Sequence, residues 1–169
     1  MTEDTKPAAA FGHGVKQRDL IKMTPQEADE FIRGWHTMNC ATMKADGTIH
    51  LVAMWYAFLE GAPAFETKAK SQKVLNLRCD PRITCLIEEG DTYDELRGVE
   101  LVGTGEIVEE DDRIWQIGVS IIERQAGRPF ADIPGGDALV ESMIRKRVGI
   151  KIHIDKIVSW DHRKLGLRG

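Results

Sequence analysis

The chain has 169 residues, 42% of them hydrophobic and 30% charged, with a formal net charge of -4 at pH 7. That length suits one domain able to bury its own core, and the acidic balance excludes a nucleic-acid electrostatic footprint as the default. No apolar run approaches the roughly 18 residues of a membrane span, and no charged start followed by an apolar stretch marks a signal peptide.

A soluble, cytoplasmic protein is therefore expected, with neither nucleic acid nor membrane as partner. Cys40, Cys79 and Cys85 include no C-x-x-C pair and leave one cysteine over, which argues against a disulfide framework and a four-cysteine zinc site. Each lies in an apolar neighbourhood and reads as a small core hydrophobe. No metal site is expected.

Residues 1–22, with Pro7, Gly12 and Gly14, read as a flexible N-terminal arm, and residues 23–169 as a single domain without repeat or linker. Thr24, Pro25 and Glu27 make a capping box with proline at the first helical position. Gly34 stands where that helix stops, and Phe31 and Ile32 face inward. Asp46-Gly47 marks a hairpin between strands 40–44 and 48–59. Glu60-Gly61 turns the chain into a strand over 62–67. Ser71 caps a helix reaching residue 77 or 78, which Asp80-Pro81 ends.

Residues 82–88 alternate Ile83, Cys85 and Ile87 as a strand. Residues 96–108 form a long strand in which Gly98, Gly103 and Gly105 allow bulges or bends. Residues 111–125 are helical, with Ile114, Ile117, Ile121 and Ile122 on one face. Asp137 is placed to cap a helix reaching about residue 147. Val148, Ile150, Ile152 and Ile154 then share one face of a strand, and residues 155–169 continue as strand or extended chain. The arrangement is mainly β with flanking helices, an antiparallel barrel of about six strands closed through its glycine bends. An α+β sandwich with one helical layer is the competing architecture.

The segment "TKAKSQK", residues 67–73, joins strand to helix. Thr67 and Ser71 offer hydroxyls, Lys68, Lys70 and Lys73 offer charge, and the helix start offers free N–H groups. These are the groups that a phosphate dianion requires. Charge clusters also serve as solvated turns, so the segment alone leaves both readings open. The preceding "TIHLVAMWYAF" is an apolar strand with His50 and Trp55 interleaved, along which a flat ring ligand can lie.

Phe65-x-Thr67, Ser71-x-Lys73, Asn76-Leu77, Asp80-Pro81-Arg82 and the closing "SWDHRKLG" follow "IHLVAMWY" in order. This pattern, over roughly residues 23–164, resembles the pyridoxamine-5'-phosphate-oxidase-like flavin and deazaflavin oxidoreductases. The resemblance implies a six-stranded FMN-binding split barrel that forms a homodimer, with two cofactor sites at the subunit interface. It places the cofactor phosphate on Thr67, Lys68, Ser71 and Lys73. It sets the tricyclic ring against His50, Leu51, Val52, Ala53 and Trp55, and brings Trp160 and Arg163 from the partner subunit. Relatives often carry proline where this chain has Ile49 and Ala53. The arginine and lysine that hold substrate phosphate in true pyridoxamine-phosphate oxidases have no clear counterpart, which argues against vitamin B6 oxidation.

The implied cofactor is coenzyme F420, with FMN the alternative. Lys70, Lys73, Arg78 and Arg145 to Arg147 are available for the anionic tail of the deazaflavin. The implied activity is hydride transfer to an unsaturated small molecule, planar and hydrophobic to suit Met54, Trp55 and Trp160. No catalytic residue follows from the resemblance; His50, Tyr56, His153 and His162 are candidate proton donors, His50 foremost. A non-catalytic carrier of cofactor or haem is the alternative from outside the enzymes.

Overall fold

The computed structural model describes residues 16–34 and 37–166, and places them in one sheet with helices at its ends and on one flank. Seven strands pair antiparallel in the order β2-β1-β5-β6-β7-β4-β3. In chain order they are β1 (Thr37–Met43), β2 (Ile49–Trp55), β3 (Ala57–Leu59), β4 (Ala62–Lys68), β5 (Arg82–Glu89), β6 (Arg97–Val108) and β7 (Arg147–Asp161).

The strand expected over 48–59 is cut at Tyr56, and this is why the sheet has seven strands where six were expected. Its two pieces, β2 and β3, occupy opposite edges of the sheet although one residue separates them. Edges joined by one residue must lie side by side, so the sheet curls into a half-barrel; the sandwich is excluded. Tyr56 is buried at that corner, and its hydroxyl donates to the Ile32 carbonyl.

The helices are α1 (Gln17–Ile21), α2 (Pro25–Gly34), α3 (Gln72–Cys79), α4 (Asp111–Ala126) and α5 (Gly136–Ile144). The expected capping box starts α2: Thr24 N–H donates to Glu27 Oε2 at 2.6 Å and Glu27 N–H to Thr24 Oγ1 at 3.2 Å. Gly135, not Asp137, stands at the N-cap of α5, and Asp137 falls in its first turn. Part of the region expected to be an arm, residues 17–21, is helical, and Gln17 Nε2 donates to the Tyr93 hydroxyl at 3.1 Å; residues 1–15 lie outside the described residues.

Two apolar clusters hold the fold. Met38, Cys40, Phe65, Ile83, Ile87, Leu101, Ile150 and Ile152 fill the barrel, closed below by Phe31 and Ile32. Ala57, Leu59, Ala64 and Val108 form an outer seam covered by Ile114, Ile117 and Ile121 of α4. β4 is covered on both faces, so its alternation disappears in a run of five buried residues. Each fully buried isoleucine contributes about 1.5–3 kcal/mol relative to exposure. Cys40 and Cys85 are buried as expected; Cys79, in the last turn of α3, is exposed and not core.

A β-bulge separates the halves of β7. Val102 pairs with Lys156 and Gly103 with Ile154, which leaves Asp155 as the extra residue. A Cβ on Gly103 would lie 1.9 Å from the His153 carbonyl oxygen. The glycine is what lets the strands cross there.

Candidate functional site

The end of β4 and the start of α3 build an anion cradle. Thr67 continues the inward face of β4, two residues beyond Phe65, and is buried. Lys73, in the first turn of α3, is only 7% exposed. Its ammonium donates to Thr67 Oγ1 at 3.1 Å, and the Ser71 hydroxyl lies 3.3 Å from the same oxygen. Ser71 occupies the N-cap position of α3, yet its side chain makes no capping bond. The hydroxyl is thus left to the cradle, which corrects the expectation that it caps.

Among the described residues, no carboxylate lies within 4 Å of the Lys73 ammonium. Burial pushes the lysine below its ordinary range; Cys40 and Glu66 act the other way and help to keep it charged. Glu66 itself is engaged by Arg147 at 2.6 Å. A buried ammonium held by one hydroxyl is a strained arrangement, because a desolvated charge needs a counter-charge.

Lys68 and Lys70 are exposed at the rim. Lys68 pairs in register with Arg147, and the Ala69 N–H donates to the Lys146 carbonyl at 3.2 Å. Two turns far apart in sequence therefore meet, bringing Arg145 and Lys146 beside Lys68 and Lys70. Among the described residues none of these four makes an ion pair, whereas Arg78 is taken by Glu109.

A relay not foreseen from the sequence fixes α3 to the sheet. Gln72 Nε2 donates to Asn76 Oδ1 at 2.8 Å, and Asn76 Nδ2 to Thr42 Oγ1 at 2.9 Å. Thr42 pairs in register with His50 of β2, which places the cradle one strand from the expected ring-binding segment. The available signal was Asn76 standing three residues after Lys73, on the same helix face.

β2 is an edge strand, and its outer face is apolar and open: Ile49 is 64% exposed, Leu51 65% and Trp55 50%. His50 and Val52 face the other way and are half-buried. Register across the sheet sets Leu51, Ala41, Thr84, Val102 and Lys156 in one row of the outer face. Ala53, Asn39, Leu86, Glu100 and Val158 form the next row. A groove of about 350 Å³ runs over this face, lined by Ala41, Met43, Ile49, Thr84 and Val102 among others.

Trp160 and Arg163 stand apart from the cradle. Trp160 lies at the far end of β7 and Arg163 in the 3-10 turn just beyond it, roughly 40 Å of strand from Arg147 at ~3.3 Å per residue. The Trp160 ring covers Gly98, and Arg163 forks onto Asp161 at 2.6 and 2.8 Å. That arginine holds the buried Asp161 carboxyl below its ordinary range. One chain does not bring this pair to the cradle. Of the other candidate donors, His153 contacts Glu106 at 2.6 Å and His162 the Tyr93 carbonyl at 2.7 Å. Burial pushes the Tyr56 hydroxyl up to about 12.

A seven-stranded half-barrel whose edges meet at one residue, with flanking helices, defines a split-barrel protein. The chain belongs to the pyridoxamine 5'-phosphate oxidase family, which matches residues 16–161. Among solved structures, the conserved hypothetical protein Rv2991 of Mycobacterium tuberculosis is 47% identical, with a TM-score of 0.83, over 92% of this chain and 95% of that one. An F420 reductase is 23% identical, with a TM-score of 0.57, over 79% of this chain and 98% of its own. HutZ, the haem storage protein of Vibrio cholerae, is 15% identical, with a TM-score of 0.60, over 80% and 94%. No curated protein matches the chain.

Proposed function

We propose that the chain is a homodimeric oxidoreductase that binds coenzyme F420 and, through the hydride this cofactor supplies when reduced, saturates a planar hydrophobic small molecule. The observation that carries the reading is Lys73, a buried ammonium with a hydroxyl partner and, among the described residues, no carboxylate within 4 Å. The phosphate of the cofactor, a diester where it carries on into a tail, supplies the missing negative charge, and Thr67, Ser71 and the first N–H groups of α3 supply its directional donors. The donor set fits such a group.

The choice of deazaflavin over FMN rests on Lys68, Lys70, Arg145 and Lys146. An oligoglutamate tail leaving the cradle meets them, whereas the single phosphate of FMN leaves them unmatched. The likeness to an F420 reductase shares the fold and adds nothing to that choice. Leu51, Ala53 and Trp55 present an apolar shelf to a ring, and β2 backbone N–H groups facing the open edge orient it. His50 is the one described histidine without a hydrogen-bond partner and stays the candidate proton donor.

The dimer follows from two features. The outer face of β2 leaves large apolar side chains in water, an uncommon exposure for an edge strand. Trp160 and Arg163 reach a cradle only if that cradle belongs to another copy.

Titration of the apo-protein with F420 and with FMN, followed by tryptophan fluorescence, tests the reading. The expected result is saturable micromolar binding of F420, at least about tenfold tighter than FMN. Preference for FMN overturns the choice of cofactor, and binding of neither overturns the cradle. Tight binding without substrate-dependent oxidation of the reduced cofactor makes the chain a carrier and overturns the enzyme.

A further inference from the structure

The barrel interior holds a pair of thiols that the proposed chemistry does not use. Cys40 of β1 and Cys85 of β5 are directly opposed in register, 1% and 0% exposed, with their thiols close enough to interact. Opposed residues of antiparallel strands have Cα atoms about 4.5 or about 5.5 Å apart, according to the type of pair. Both values fall inside the roughly 4.4–6.8 Å that a disulfide requires. The strands are held on both sides, β1 by β2 and β5 by β6, so bridging asks for rotation of side chains and not for movement of backbone.

The two sulfurs differ in surroundings. Cys40 lies close enough to the Lys73 ammonium for the two to interact. Cys85 has the neighbouring Cys40 thiol and its own burial, both of which hold it protonated.

We propose that Cys40 and Cys85 are a dithiol oxidation site, with Cys40 the sulfur that meets a peroxide-class oxidant and Cys85 the resolving thiol. The Cys40 thiolate attacks one oxygen of the peroxide, the O–O bond breaks, and sulfenic acid and water form after proton uptake. Cys85 then attacks the sulfenic sulfur, the S–O bond breaks, and a second water leaves as the disulfide forms. The two electrons lost by the thiols reduce one peroxide to two waters. The site stands whether or not the cradle holds F420.

The test uses Cys79→Ser, which removes the exposed cysteine and leaves the pair. The folded variant is treated with a few equivalents of hydrogen peroxide, then analysed by intact mass, thiol count and non-reduced peptide mapping. The expected result is loss of both thiols, a mass decrease of about 2 Da and a peptide linking residues 40 and 85, all reversed by dithiothreitol. The apo-protein also gains several degrees in its unfolding midpoint, since the bridge closes a loop of about 45 residues. Survival of both thiols in the folded protein overturns the proposal. So does oxygen addition without a bridge, or bridging seen only after denaturation.

Discussion

Replacing Lys73 with methionine separates what the ammonium does for the fold from what it does for a ligand. Methionine keeps most of the buried stem and removes the charge. In the apo-protein that charge is desolvated and offset by one hydroxyl at 3.1 Å, so its loss is expected to stabilise the fold by about 1 kcal/mol, a midpoint rise of about 2–4 °C. Because burial lowers the lysine from 10.5, the folded state sheds its proton first as pH rises. The wild type therefore carries the full penalty below the folded value and recovers it as pH climbs towards 10.5, and the gain in the variant shrinks over the same window. Ligand affinity moves the other way. Deleting one partner of a buried charge pair costs at least about 2 kcal/mol, or roughly 30-fold, for any phosphate-bearing cofactor. Denaturant melts of the apo-protein from neutral pH to pH 10, with cofactor titration of both forms, measure both effects. A variant that is less stable and binds equally well refutes the reasoning, and makes Lys73 a structural residue satisfied by Thr67.

Three further outcomes are expected. Leu51→Asp places a charge on the open apolar edge, and light scattering should find a monomer where the wild type is a dimer; a monomeric wild type at micromolar concentration removes the interface. Gly98→Ala puts a Cβ 2.4 Å from Cζ2 of Trp160, so the indole must swing away. Cofactor affinity should fall about tenfold with the dimer intact, and unchanged affinity with shifted fluorescence takes Trp160 out of the site. Asp161→Asn removes the carboxylate that Arg163 grips, and should cost about 1 kcal/mol at pH 7, discounted for the exposed side of the pair. Since Arg163 lowers the carboxyl from 3.8, this contribution is present above 3.8 and vanishes as pH falls through the folded value; a pH-independent difference points to packing instead.

Features written in adjacent residues were legible. The capping box at Thr24 and Glu27 forms both its bonds, and Asp46 accepts from Thr48 N–H at 2.9 Å in the expected hairpin. Ile114, Ile117 and Ile121 of α4 face the seam as their spacing indicates. The break at Tyr56 was not legible, because "VAMWYAFL" stays apolar throughout and the corner is set by which distant strands each half pairs with. Lys68, Lys70 and Lys73 look alike in the sequence, yet Lys73 is buried and the other two are exposed. The difference comes from α3 folding back over Thr67, a tertiary event. The meeting of Lys68 with Arg147 likewise depends on β4 pairing with β7 across almost half the chain.

A crystal structure of the protein with F420 bound tests the central claim most directly. The phosphate is expected within about 3 Å of the Lys73 ammonium and of the Thr67 and Ser71 hydroxyls, with Trp160 of a second protomer against the ring. A phosphate bound away from Lys73, or a complete site within one chain, would contradict the account.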